Sequence, residues 1–177
     1  MGMSYSVTCR DPRCAARAGA LELAHGAVET PAFMPVGTNA TVKAMSCEAL
    51  EELGIGLILA NAYHLYLRPG AEVIRLAGGL HAFMGWRRNI LTDSGGYQVF
   101  SLPSFRRLTE EGVDFRSHLD GSPRHLSPEA VVEFQELLGS DVLMPLDICT
   151  PPGIGEAEAR EALERTVRSA LARRSSR

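Results

Sequence analysis

Short apolar runs alternate with segments of helical periodicity along most of the chain. The runs of strand length are Ala32 to Val36, Leu57 to Ala60, Asn89 to Thr92 and Asp141 to Leu146. Helices are predicted between them: one capped by Ser46 and stopped by Gly54, one opened by Pro69-Gly70, and one capped by Ser127 and closed by Gly139. Strands alternating with helices predict parallel βαβ units.

Two segments depart from this alternation. Tyr5 to Val36 carries several turn residues and predicts a β-meander that leads into the first core strand, while the polar, glycine-punctuated segment Arg106 to Leu126 predicts a β-hairpin insertion. A last amphipathic helix is predicted from about Glu156 to Arg174. Its apolar stripe comprises Ala159, Leu163, Val167 and Ala170.

These elements predict an α/β fold that forms the first half of a (β/α)8 TIM-type barrel as one domain over 1–177. Right-handed crossovers place successive helices on the same side of a curling sheet, which favours the barrel. A doubly wound sheet is the alternative, because periodicity does not separate the two. The chain has 177 residues, whereas a complete barrel takes about 250 residues.

Composition changes this picture little. The 18 Lys and Arg against 21 Asp and Glu give a formal charge of -3, so no overall basicity indicates a nucleic-acid or membrane partner. No apolar run approaches the length of a membrane span or a signal sequence, and we expect a cytoplasmic protein. The four cysteines and five histidines lack metal-ligand spacing, so the sequence predicts no disulfide framework and no metal or other cofactor in this chain.

Two acidic residues follow predicted strands, where the active sites of parallel α/β proteins lie. Asp93 precedes Ser94-Gly95-Gly96-Tyr97, and Asp147 is followed by Ile148-Cys149-Thr150. Two carboxylates at one rim can accept N–H donors from a planar heterocycle or move a proton, and Tyr97 can stack on that ring. Each acid alone can equally be an ordinary helix N-cap.

At these residues the sequence resembles the tRNA-guanine transglycosylase family, also called queuine tRNA-ribosyltransferase. The resemblance extends from about Arg17 to the last helix. Its main stretches are Thr30 to Thr38, Asn61 to Leu65, Leu91 to Leu102, Leu126 to Glu129 and Asp147 to Pro151.

The resemblance implies a β/α-barrel glycosyltransferase of queuosine biosynthesis. Such an enzyme exchanges the guanine at the wobble position of a tRNA anticodon for a 7-deazaguanine, which in bacterial members is the prequeuosine base. Carried over, Asp93 is the proton acceptor, Ser94, Gly95, Gly96 and Tyr97 form the substrate loop, Asp147 binds the N–H edge of the ring, Cys149 lines the pocket, and Asn61 lies near the ribose. The partners it implies are the tRNA anticodon loop and the free base, and family members are dimers.

The resemblance also implies parts that this chain lacks. Family members run roughly twice its length, and their covalent aspartate nucleophile and structural zinc site would lie downstream of Arg177. We therefore expect a truncated N-terminal half that is inactive alone. Two other hypotheses remain: a non-catalytic accessory that binds tRNA or a partner, and a nucleoside hydrolase that uses Asp93 and Asp147 as a carboxylate pair.

Overall fold

The computed structural model describes residues 3–102, 106–109 and 111–172, and it shows a mixed α/β protein. The described residues form three separate three-stranded sheets and seven helices, with no closed barrel among them. The predicted α/β class is confirmed at this level. No helix in the described part of the chain is both long and apolar enough to cross a bilayer.

The first sheet is the predicted N-terminal meander. Its antiparallel strands are β1 (Ser4–Arg10), β2 (Arg17–Leu23) and β3 (Gly26–Thr30). Every residue of β1 is exposed, whereas Leu23 and Val28 pack against Leu57 at the start of the parallel sheet. The meander therefore lies against the N-terminal ends of the parallel strands.

The second sheet is parallel, and its strands follow in chain order. It contains β4 (Leu57–Asn61), β5 (Asn89–Asp93) and β9 (Val142–Leu143). The predicted strand Ala32 to Val36 is reduced to one parallel bridge from Val36 to Leu59. Pro31 and Pro35 lack the N–H that a continuous ladder needs, which accounts for this correction.

The predicted strand Asp141 to Leu146 is also wrong in length, because only Val142 and Leu143 pair. Beyond Leu143, the buried Gln135 side chain bonds the backbone in place of a neighbouring strand. Its Oε1 accepts the Met144 N–H at 2.9 Å, and its Nε2 donates to the Met144 carbonyl at 2.8 Å. Pro145 follows and has no N–H to donate.

The segment predicted as a β-hairpin forms a three-stranded antiparallel meander, which is the third sheet, so that prediction is wrong in its number of strands. Its strands are β6 (Arg106–Leu108), β7 (Val113–Arg116) and β8 (Pro123–Leu126). Two turns separate them: the Thr109 N–H donates to the Gly112 carbonyl at 2.8 Å, and the Ser117 N–H donates to the Ser122 carbonyl at 2.9 Å. A single hairpin has only one turn, so this segment needs a third strand.

The three helices expected between strands are present. They are α1 (Cys47–Glu52), α3 (Ala71–Leu76) and α6 (Pro128–Leu138). Three further short helices were not predicted: α2 (Ala62–Leu67), α4 (Leu80–Met84) and α5 (Gly96–Ser101). Two of them, α2 and α5, directly follow parallel strands.

The last helix, α7 (Glu156–Ala172), buries a different face from the predicted one. Ala162 and Ser169 are buried, whereas Leu163 and Val167 of the predicted stripe are 62% and 49% exposed, and Ala159 and Ala170 are exposed as well. The small side chains on this face let α7 approach the segment after β9 closely, where Thr166 Oγ1 accepts the Ile148 N–H at 3.1 Å. The predicted end at Arg174 lies outside the described residues.

Candidate active site

Polar residues lie together at the carboxyl end of the parallel sheet. Asn61 ends β4 and pairs in register with Asp93, the last residue of β5, while Asp147 follows β9. Parallel strands bring their carboxyl ends to one edge, so the pattern predicts this grouping. We call the surface formed by Asn61, Asp93, Ser94, Asp147 and Cys149 the acid rim.

Protein donors hold the Asp93 carboxylate on both oxygens. Oδ1 accepts the Ala62 N–H at 2.9 Å, and Oδ2 accepts Gln98 Nε2 at 2.9 Å together with a short hydrogen bond from Asn61 Nδ2. Asn61 is buried and Asp93 is half-buried. These three donors therefore hold the Asp93 carboxylate in a fixed orientation.

Ser94, the residue after Asp93, contacts Asp147. Its hydroxyl donates to Asp147 Oδ1 at 2.6 Å and accepts the Gly96 N–H at 3.1 Å. This contact places the segment after β5 directly beside the segment after β9. Asp93 and Asp147 therefore lie on neighbouring segments at one edge of the sheet.

Both glycines of the loop are required by space. Gly95 has φ +81°, and a Cβ there would lie 2.9 Å from Tyr63 Cβ. A Cβ on Gly96 would lie 2.4 Å from both the carbonyl oxygen and Oδ1 of Asp147. Any larger residue at position 96 would push the two loops apart.

Asp147 is exposed, and its second oxygen is engaged by Cys149. The thiol Sγ donates to Asp147 Oδ2 at 3.3 Å. Burial, the hydrogen bond to Asp147 and the negative charge of Asp147 together raise the pKa of Cys149 to about 11. At neutral pH this side chain is therefore a neutral thiol that lines the rim and is not a nucleophile.

The remaining predicted residue, Tyr97, presents its ring to solvent. The side chain is 63% exposed in the first turn of α5. An exposed aromatic ring can stack on a planar heterocycle without displacing core packing.

A cavity of about 400 Å³ opens beside the rim. Its lining includes Gly96, Leu146, Asp147, Cys149 and Ser169 of α7, whereas the predicted site residues Asn61, Asp93 and Tyr97 do not line it. Ser169 is buried, and its Oγ has no hydrogen-bond partner among the described residues. A volume of this size accommodates one purine-sized ring with room for its substituents.

Sequence reasoning missed Gln98 and the aromatic pair beside Asp93. Tyr63 Oη lies 2.9 Å from His118 Nδ1, and the two rings stack. Burial and the nearby His118 lower the pKa of His64, while Asp93 opposes both effects. Gln98 lies in the first turns of α5, close in sequence to Asp93, and this position could have predicted its contact with Asp93. His118 follows β7 of the third sheet, and no local sequence pattern predicts that it lies near Tyr63.

A second polar cluster lies away from the rim, in residues that their spacing along the chain did not group together. His25, His81 and Asp141 place ligand atoms within 4.8 Å of one another, which no separation along the chain indicated. Although burial alone raises the pKa of Asp141, hydrogen bonds from His81, His25 and the Ile90 amide hold it below its ordinary value. These three residues are a candidate metal-binding group.

Comparisons with known proteins support the resemblance. A family model described as queuine tRNA-ribosyltransferase matches residues 11–176. A protein named queuine tRNA-ribosyltransferase from Desulforudis audaxviator is 57% identical over 168 residues, covering 95% of this chain and 45% of the relative.

Other relatives agree. Proteins of the same name from Caldanaerobacter subterraneus subsp. tengcongensis and Treponema denticola are 54% and 56% identical over 166 and 163 residues. They are covered over 44% and 43% of their own length, and they cover 94% and 92% of this chain. The chain thus spans less than half the length of these relatives.

Proposed function

Because the chain belongs to the queuine tRNA-ribosyltransferase family, we propose that it supplies the base-recognition part of a tRNA-guanine transglycosylase. The complete enzyme would exchange guanine at the anticodon wobble position for a 7-deazaguanine of the prequeuosine type. In this proposal Asp147 binds the base, Asp93 handles a proton, and Tyr97 stacks on the ring. Asn61 and Gln98 position Asp93.

The observation that carries the proposal is the 2.6 Å hydrogen bond from Ser94 to Asp147. It holds Asp147 beside the segment that follows β5, at the edge of a cavity. The guanine edge presents an N1–H and an exocyclic amine side by side, and one exposed carboxylate can accept both. Such paired contacts discriminate between bases by about 1–3 kcal/mol.

Asp93 fits the role of proton acceptor because its carboxylate can accept a further donor. Oδ2 accepts protein N–H donors from Asn61 and Gln98, whereas Oδ1 accepts only the Ala62 N–H, so a base N–H can approach Oδ1 or replace a donor at Oδ2. The carboxylate would then take the ring N–H proton of the entering base, whose nitrogen forms the new bond to the ribose. Asn61 and the Ala62 amide keep it at the end of β5 during this change.

The tRNA would present its base from a single-stranded loop. A base in an anticodon loop is already unpaired, so turning it outward costs less than extracting it from a duplex. The exposed ring of Tyr97 supplies a stacking surface for the extruded base. Shape and stacking would thereby combine with the Asp147 contact to select the target.

We further propose that the parallel sheet is the first half of a β/α barrel. The order from the Val36 bridge through β4 and β5 to β9 follows the chain without reversal. A doubly wound sheet reverses its strand order at the point where ligands bind. The observed order therefore supports the barrel over the alternative.

Titration calorimetry with 7-aminomethyl-7-deazaguanine tests base recognition. We expect the chain to bind this base and not 7-deazaadenine, which lacks the paired N–H edge. Asp147→Asn should weaken binding about 10-fold, corresponding to about 1.4 kcal/mol. Glu52→Gln removes an exposed carboxylate on α1 and should leave binding unchanged.

Two results would overturn the proposal. The first is equal affinity for the two bases; the second is an Asp147→Asn chain that binds as well as the Glu52→Gln control. Release of free base from simple nucleosides, lost in Asp93→Asn, would instead support a carboxylate-pair hydrolase.

A further inference from the structure

The cluster of His25, His81 and Asp141 lies at the opposite end of the parallel sheet from the acid rim. His25 is in the turn between β2 and β3, His81 is in α4, and Asp141 immediately precedes β9. Asn89, the first residue of β5, accepts the His25 N–H at 3.1 Å. The cluster therefore joins the meander to the floor of the sheet, and the proposed function does not use it.

Asp141 is the centre of the cluster. Its side chain is 1% exposed, with Oδ1 2.6 Å from His25 Nδ1 and Oδ2 3.2 Å from His81 Nε2. The Ile90 N–H also donates to Oδ2, at 2.8 Å. A buried carboxylate needs a compensating positive charge or strong donors, and the two imidazoles are its only ion-pair partners among the described residues.

We propose that His25, His81 and Asp141 bind a divalent transition-metal ion of the zinc class. Two imidazole nitrogens and one carboxylate oxygen are a ligand set that zinc accepts, with water or a carbonyl completing four-coordination. The Arg88 carbonyl oxygen lies 3.0 Å from His81 Nε2 and is positioned for that fourth place. The Ile90 amide orients the carboxylate as outer partners of metal ligands do.

Metal binding requires the two imidazole rings to move. Ligand atoms at about 2.0–2.1 Å from a tetrahedral zinc lie about 3.3 Å apart, which the 3.2 Å separation of His81 and Asp141 already matches. His25 must retreat from Asp141, and the two imidazole rings, now stacked at 4.0 Å, must turn to aim at one ion. His25 is 40% exposed in a turn, so it is the ligand best able to move.

The ion would fix the β2–β3 turn to the sheet. It would neutralise the buried Asp141 carboxylate and replace two hydrogen bonds by coordination bonds. Metal binding should therefore stabilise the fold, since the three ligands come from segments far apart in sequence and are not gathered in an unfolded chain.

Cobalt(II) titration, followed by visible absorption, tests the site. The reduced protein should bind one equivalent and develop the intense d–d bands of tetrahedral cobalt, without the near-ultraviolet charge-transfer band that thiolate ligands give. Zinc should displace the cobalt and raise the melting temperature. His25→Ala, a change at a partly exposed turn residue, should weaken cobalt binding at least 10-fold.

His125→Ala is the matched control. His125 Nδ1 lies 2.7 Å from Asp114 Oδ1 in a similarly close histidine–carboxylate pair, to which no third ligand belongs within the described part of the chain. It should leave cobalt binding unchanged. The proposal fails if the protein binds no stoichiometric cobalt or zinc, if His25→Ala binds as well as His125→Ala, or if the spectrum shows thiolate coordination.

Discussion

Replacing Gly96 by alanine should destabilise the protein by separating the two loops of the acid rim. The new Cβ would lie 2.4 Å from two oxygens of Asp147, one of them in the backbone. An ordinary carbon–oxygen contact is about 3.3 Å or longer, so one loop has to move by roughly 1 Å. Side-chain rotation relieves only the Oδ1 contact, because the carbonyl oxygen is fixed to the chain.

Two opposing effects decide the size of the loss. Alanine in place of a helical glycine stabilises by about 0.5–1 kcal/mol. Against this, overpacking costs about 1–3 kcal/mol, and losing the Ser94 hydroxyl bond to the Asp147 carboxylate costs about 1.5–3 kcal/mol. The clash and the lost bond outweigh the helix gain, so we expect a net loss of about 2 kcal/mol or more.

Urea unfolding followed by tryptophan fluorescence measures this loss. The single tryptophan, Trp86, is buried and donates to the Asn89 carbonyl, so its emission reports the folded core. Gly56→Ala is the control, because a Cβ there meets Val28 Cγ2 at an ordinary 3.6 Å. If Gly96→Ala is as stable as the wild type or as Gly56→Ala, the loops do not touch and the acid rim does not exist as described.

Two other substitutions test separate parts of the structure. Asn89→Ala should lower the free energy of unfolding, measured in urea, by about 2–4 kcal/mol, because it removes a hydrogen-bond partner from the His25 N–H and from two carbonyl groups. Asn39→Ala, at an exposed position, is the control. A loss of stability no greater than that of the control would contradict these contacts. Asp147→Asn should lower the pKa of Cys149 from about 11 by removing a hydrogen bond and a negative charge, although burial still raises it. More thiolate then forms at a given pH, so Cys149 should be alkylated faster than in the wild type. The alkylation rate of Cys47 should not change and serves as the internal control. An unchanged alkylation rate of Cys149 would refute the hydrogen bond between Cys149 and Asp147.

Local chemistry made the helix starts predictable. Ser46 Oγ accepts the Ala49 N–H at 3.2 Å, and Ser127 Oγ accepts the Ala130 N–H at 3.1 Å. In both bonds the donor and the acceptor are three residues apart, so a local sequence pattern is enough to predict the cap. The positions of Asp93 and Asp147 were predictable for a related reason, since an acid after a parallel strand falls at a known edge.

Features that depend on distant partners were not predictable. The strand before Asp147 is shortened because Gln135, on another element, bonds both backbone groups of Met144. The buried face of α7 is chosen by how closely the helix approaches its neighbours, and small residues such as Ala162 allow a closer approach than Leu163. Hydrophobic periodicity shows which residues of a helix are apolar, but it does not show which neighbouring element the helix packs against.

The hydrogen bonds to Asp93 indicate which of its donors is most easily displaced. Asn61 is buried and fixed by the strand register, and the Ala62 amide belongs to the backbone, so neither moves without disturbing β4 or α2. Gln98 reaches Asp93 by a long side chain from α5, and its buried Oε1 has no partner among the described residues. A side chain whose acceptor is already unsatisfied loses least by turning away. Gln98 is therefore the most easily displaced donor to Asp93, while Asn61 and the Ala62 amide keep the carboxylate in place.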